Sequence, residues 1–150
     1  MKAKIYGIGV GPGDPDLITI KAKQTLAKAN LVVYPAPENG SSIAKKIAAP
    51  HFPKTCEELP VYIPMSTNRF PAMRIYKSAS EKIFNAALEH KTVVILCEGD
   101  PFFYGSFMYL FGLIRKRCNV EVIPGVSSLM ASAAILETPL AAGNLSLIHI

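Results

Sequence analysis

Residues 93–106, VVILCEGDPFFYGS, limit most narrowly what this chain can fold into. Val93-Val94-Ile95-Leu96 is an unbroken apolar run that stops at Cys97-Glu98-Gly99-Asp100-Pro101. A short aliphatic run with no polar alternation suits a strand covered on both faces, and such strands belong to parallel sheets. Gly99 lets backbone approach a ligand closely. Asp100 sets a carboxylate at the carboxyl end of the strand, and Pro101 has no N–H with which to continue the ladder. In open α/β sheets, ligands lie at the carboxyl ends of strands. The motif therefore reads as a strand-end site.

Two further segments repeat the design. In KIYGIGVGPGDPD, residues 4–16, a strand from about Lys4 to Val10 leads into Gly7, Gly9, Gly11 and Gly13 at spacing two, followed by Asp14. In VEVIPGVSSLMASAA, residues 120–134, a short strand (Val120, Val122, Ile123) turns at Pro124-Gly125, and Ser127 or Ser128 caps a helix of small and apolar residues. Any one glycine turn is read equally well as a tight strand–helix connection. Repetition of the junction points to a site assembled from several strand ends.

The remaining pattern alternates strand and helix. A helix is expected over Thr19–Ala29, with Ile18, Ala22, Leu26 and Ala29 on one face. Leu31–Tyr34 is a second strand, stopped by Pro35 and Pro37. Ser41 or Ser42 opens a short helix through Ala48, and Pro60–Pro64 is a strand at a sheet edge. Ser66–Phe70 is a polar loop, and Pro71 starts a long helix to about His90 with Tyr76, Ala79, Ile83 and Ala86 inward. Helices over 105–117 and 127–136 complete the list. This order predicts a mainly parallel sheet with helices on both faces, in one α/β domain over residues 1–140. Leu145–Ile150 reads as the start of another strand; residues 141–150 are expected to lead into a second domain that is truncated here.

Half of the residues are hydrophobic and 18% are charged, which excludes a disordered chain. No apolar run is long enough to span a bilayer, and the amino terminus lacks the pattern of a signal peptide. Cys56, Cys97 and Cys118 are scattered and odd in number, as expected of free thiols in the cytoplasm. His51, His90 and His149 do not cluster, so no metal site is expected. The net charge of +5 comes from dispersed Lys and Arg. The Arg115-Lys116-Arg117 cluster closes a helix, where cations complement the dipole. No motif interleaves basic and aromatic residues for nucleic acid.

Three stretches, GIGVGPGDPDLITIKA, CEGDPFFYGSFMYLF and VIPGVSSLMASAA, resemble the signatures of the tetrapyrrole (corrin/porphyrin) methylases, in the right order. LVVYPAPE at 31–38 and VYIPMS at 61–66 resemble the branch that methylates the C-20 meso carbon of precorrin-2, or its cobalt-loaded counterpart, in cobalamin biosynthesis. The resemblance implies a fold of two α/β domains with S-adenosylmethionine between them, an anionic tetrapyrrole substrate and a homodimer. Carried onto matching positions, it places the cofactor contacts at Gly99, Asp100, Phe103, Ser127 and Ser128, with Pro12 in the first glycine loop. That loop is implied to face the tetrapyrrole, and Asp14, its ionisable group, is the candidate for proton transfer. Asp14 is equally a turn residue, since Gly-Asp-Pro-Asp favours a turn and helix start. Tyr34, Tyr62 and Tyr104 are possible cleft residues, and Arg69, Arg74 and Lys77 suit an anionic substrate.

Two other readings stay open on the residues. Gly7–Gly13 is also compatible with the phosphate loop of a dinucleotide-dependent oxidoreductase, although Pro35 stands where an acidic ribose partner belongs. The chain is also compatible with an inactive fragment that only binds ligand.

Overall fold

The computed structural model describes residues 4–38, 40–62, 69–89, 92–141 and 143, with the side chains of 69–72 left undescribed. The strand expected at Leu145–Ile150, most of the 66–70 loop and the Arg69 side chain lie outside the described residues.

Five parallel strands form one sheet: β1 (Lys4–Gly9), β2 (Leu31–Ala36), β3 (Glu57–Tyr62), β4 (Thr92–Cys97) and β5 (Val120–Ile123). Their spatial order is β3-β2-β4-β1-β5. The apolar run of β4 is central, paired with β1 from Lys4↔Thr92 to Gly9↔Cys97 and with β2 from Leu31↔Val93 to Val33↔Ile95. Both of its faces are covered, as the unbroken hydrophobic run requires. Val93, Ile95 and Cys97 pack with Tyr76, Ala79, Ile83 and Ala87 of α3 (Arg69–Glu89) and with Phe107, Leu110 and Ile114 of α4 (Phe107–Ile114). Val94 and Leu96 pack with Ala22 and Leu26 of α1 (Ile20–Leu26) and with Ala44, Ile47 and Ala48 of α2 (Ile43–Ala48). A fifth helix, α5 (Ser128–Ile135), follows β5 and buries none of its residues. Helices on both faces of a parallel sheet agree with the expected fold.

Several boundaries differ from the sequence reading, each for a local reason. β2 runs through Pro35 to Ala36 because beyond Val33 it is bonded only to β3, so one edge tolerates a residue without an N–H. α3 begins at Arg69, which places Pro71 inside its first turn. Ala87, four residues beyond Ile83, takes the fully buried place expected for Ala86, which packs at the margin of the core. Thr19 and Ser42 cap α1 and α2 by accepting from the N–H groups of Ala22 (3.3 Å) and Lys45 (3.2 Å). β3 is an edge strand, which accommodates Pro60.

Candidate functional site

The sheet order places β4 between two strands whose chains leave in the opposite direction. After β1 and β2, the chain turns to the face of α1 and α2. After β4, it turns to the face of α3 and α4. Such reversals open crevices at the carboxyl edge of a sheet, and here there is one on each side of β4.

The crevice on the β1 and β5 side is built from three backbone approaches. Val10 N–H donates to the Cys97 carbonyl at 2.9 Å, and Gly11 and Gly99 exchange N–H···O bonds at 3.3 and 2.9 Å. A Cβ on Gly125 would lie 2.2 Å from the Gly99 carbonyl oxygen, and one on Gly9 would lie 2.6 Å from the Gly125 nitrogen. Only glycine fits where the strand ends converge this closely. Gly99 has φ +61°, a left-handed conformation that also favours glycine. Asp100 ties the turn together: one carboxylate oxygen accepts from Phe102 N–H at 2.9 Å, and the other accepts from Gly125 N–H at 3.0 Å. Ser127 caps α5, its hydroxyl accepting from Met130 N–H at 3.4 Å.

These contacts leave a recess of about 400 Å³ lined by Pro12, Gly99, Asp100, Phe103, Ser127 and Ser128. The residues expected to hold the cofactor, separated by more than a hundred positions in the chain, thus meet in one concavity. Glu98 and Tyr104 line it as well. Tyr104 holds φ 53°, unusual for an aromatic residue, and its ring stands edge-on to Phe103 at 4.9 Å while 94% exposed.

The second crevice opens where β2 and β4 diverge beyond Val33. Its volume is about 450 Å³, and its walls include Tyr34, Pro35, Ile43, Phe107 and Leu110. Glu98, Phe103 and Tyr104 line both crevices, so the two adjoin across the β4 turn. The Tyr34 hydroxyl donates to Glu58 at 2.7 Å, and Lys45 pairs with the same carboxylate oxygen at 2.6 Å. Burial, then the adjacent Glu58, raises the Tyr34 hydroxyl; the bonds from Lys45 and Tyr34 lower the Glu58 carboxyl. Cys97 lines this crevice, and burial pushes its thiol well up, so it stays protonated.

Other candidates fall elsewhere. Asp14 is exposed and caps the short 3-10 turn Pro15–Leu17, one carboxylate oxygen accepting from Asp16 N–H at 2.9 Å; it lines neither crevice. Gly7 does not belong to a ligand loop. A Cβ there would sit 2.1 Å from Cζ of Phe107, so its role is to seat that ring. This removes one of the glycines on which a phosphate loop would depend. Tyr62, Arg74 and Lys77 are exposed and line neither crevice. Among the described residues no group of three or more His, Cys, Asp or Glu could hold a metal ion, and no helix is long and apolar enough to cross a membrane. Glu98 carries no periodicity or spacing signal of its own. Its place in the same turn as Gly99 and Asp100 was the available clue.

Fold and crevices together define a parallel α/β domain with two adjoining crevices at the carboxyl edge of its sheet. Residues 4–150 match the tetrapyrrole (corrin/porphyrin) methylases, and the chain belongs to that family. It is 38% identical over 152 residues to the cobalamin biosynthesis protein CobIJ of Mycobacterium tuberculosis, covering 95% of this chain and 30% of that protein. It is 34% identical over 149 residues to precorrin-2 C(20)-methyltransferase of a Sinorhizobium species, covering 94% of this chain and 61% of that one. Among solved structures it resembles uroporphyrin-III C-methyl transferase from Thermus thermophilus complexed with S-adenyl homocysteine. That match has a TM-score of 0.66 and 29% identity, over 97% of this chain and 53% of the other. The chain therefore spans between 30% and 61% of the length of these relatives.

Proposed function

We propose that this chain is the cofactor-binding part of an S-adenosylmethionine-dependent C-methyltransferase of cobalamin biosynthesis, acting on the C-20 meso carbon of precorrin-2 or its cobalt-loaded counterpart. The observation that carries the reading is the single recess formed by Pro12, Gly99, Asp100, Phe103, Ser127 and Ser128, adjoining a second, mostly apolar crevice. C-20 as the position rests on relatives named for it and on the 31–38 and 61–66 resemblance. In this reading residues 1–140 are the first of two domains, 141–150 lead toward the second, and the relatives' additional length supplies the facing wall.

The recess fits the cofactor in size and chemistry. Ligand sites commonly measure roughly 300–1,000 Å³ and orient the ligand with a few fixed polar groups. N–H groups at the start of α5 suit a carboxylate. Phe103, 45% exposed, offers a ring face, and Gly99 exposes backbone. The Asp100 oxygens, anchored by two N–H groups, keep lone pairs that accept from a ligand. The bound cofactor supplies an activated methyl group on a good leaving group. The chain's task is then to hold donor and acceptor in line across the β4 turn, and such positioning is worth roughly 7–11 kcal/mol. Phe107, Leu110 and the Tyr34 ring give the acceptor crevice an apolar wall.

Calorimetric titration with S-adenosylhomocysteine tests the reading. The wild type binds saturably, and Ser128→Tyr, which fills the recess without removing a hydrogen bond, abolishes binding while leaving the melting temperature intact. Asp100→Ala weakens binding. Mass spectrometry and NMR of precorrin-2 after turnover should show one added methyl at C-20. A folded protein, as its gene encodes it, that neither binds nor methylates refutes the proposal.

A further inference from the structure

We infer that Glu98 is the residue that takes the proton from the methylated carbon, an inference that rests on the methyltransferase reading above. Two carboxylates line the crevices, and their situations differ. Each Asp100 oxygen accepts one N–H bond, from Phe102 and from Gly125, which holds the β4 turn against the loop after β5, and the lone pairs that remain serve the cofactor in the reading above. Glu98 is exposed and makes no hydrogen bond or ion pair among the described residues. With Phe103 and Tyr104 it lines the recess and the acceptor crevice alike, which puts residue 98 at the junction of the two, where the methyl passes in the reading above. Tyr104, Tyr34 and Cys97 are the other ionisable groups in the walls. Tyr34 already donates to Glu58, and burial keeps Cys97 protonated. A carboxylate is the one of these that accepts a proton without first losing one.

The step balances as follows. An electron pair of the macrocycle forms the new C–C bond as the C–S bond breaks, its pair leaving with sulfur. The acceptor carbon then bears both hydrogen and methyl, with a positive charge spread over the ring. The C–H bond breaks, its pair returns to the ring, and the proton passes to the Glu98 carboxylate and on to water.

The test is Glu98→Gln, which keeps shape and removes the proton acceptor, with Glu98→Asp as the conservative variant, both in the protein as its gene encodes it. General-base contributions run roughly 10²–10⁴-fold, so kcat for Glu98→Gln should fall about a hundredfold or more. KM, the melting temperature and S-adenosylhomocysteine affinity should stay within about twofold of wild type or unchanged. Glu98→Asp should recover part of the rate. Precorrin-2 deuterated at C-20 should show a larger isotope effect with Glu98→Gln than with wild type, because proton removal then limits turnover; a merely structural role would not produce this. A wild type that methylates and a Glu98→Gln variant equal to it in rate and isotope effect overturn the role of Glu98 and leave the methyltransferase reading standing. A wild type that neither binds nor methylates overturns both.

Discussion

Replacing Gly7 by alanine should destabilise the domain through one contact. The added Cβ would lie 2.1 Å from Cζ of Phe107 and 2.6 and 2.7 Å from Cε1 and Cε2, whereas ordinary contact begins at 3.4 Å. Gly7 is fixed by pairing to Ile95 on one side and Val122 on the other, so the strand cannot yield. The ring must move instead, yet it is 2% exposed and packed beside Phe102 and Phe111, with centroids 6.0 and 5.8 Å away. Its free side is the crevice it lines, and partial entry into that space relieves part of the overlap. Overpacking of a core costs about 1–3 kcal/mol, and a partial escape route puts this case near the middle, about 2 kcal/mol. For a domain of this size that lowers Tm by about 4–8 °C. Urea denaturation of Gly7→Ala, Phe107→Leu and the double variant measures it. The double variant should be more stable than the two single losses summed, by about 1 kcal/mol or more, because the smaller side chain makes room for the methyl. A Gly7→Ala protein within about 0.5 kcal/mol of wild type, or strict additivity of the two changes, would refute the packing account of this glycine.

Three further expectations follow from single contacts. Glu58→Gln should cost about 0–1 kcal/mol by thermal melt, since Lys45 and Glu58 are 40% and 34% exposed and solvent screens their pair. That loss should be largest between the ordinary values of Glu58 (4.5) and Tyr34 (10.0). The lowered Glu58 carboxyl contributes above 4.5 and its contribution fades as pH falls through its lowered value; the raised Lys45 and Tyr34 contribute below 10.5 and 10.0 and fade as pH climbs through theirs. A wild-type to Glu58→Gln difference that grows toward acid would contradict this. Ser127→Ala removes the cap on α5 and should cost about 0.5–1 kcal/mol in denaturant, at the low end because the bond is 3.4 Å long. Arg117→Ala breaks a bidentate pair with Glu81 and a stack 3.5 Å from the Phe84 centroid; exposure keeps the cost at about 1 kcal/mol, and added salt should reduce it.

The sequence and the structure agree where the signal is local. β4 was legible because a strand covered on both faces cannot alternate, and α3 because Tyr76, Ala79 and Ile83 recur at helical spacing. The serine caps and the edge position of β3 were legible from residue chemistry. The candidate recess was partly legible: its six expected residues lie in three motifs, and the fold brings them to one place. Glu98 was not singled out, because its significance depends on which neighbouring carboxylates are already engaged. Asp14 satisfied a sequence expectation for a proton-transfer group, yet its carboxylate is held by the backbone of the turn it starts. Pro35 was read as a strand stop because a proline's tolerance depends on which strand edge is bonded, and that is a property of the sheet.

The sequence by itself determined the class of fold, the succession of elements and the three strand-end junctions, since propensity, hydrophobic period and capping act over a few residues. The tertiary structure decided the order β3-β2-β4-β1-β5, and with it everything that depends on distant pairing. Placing β4 between β1 and β2 opens a crevice on each side of one turn. The same order makes Gly7 a seat for an aromatic ring 100 residues away in the chain, and it gives Asp100 to Gly125 while Glu98 makes no hydrogen bond or ion pair among the described residues. Such contacts join segments with no sequence period in common. Only the packed sheet, which fixes each strand's neighbours and register, brings them within bonding distance.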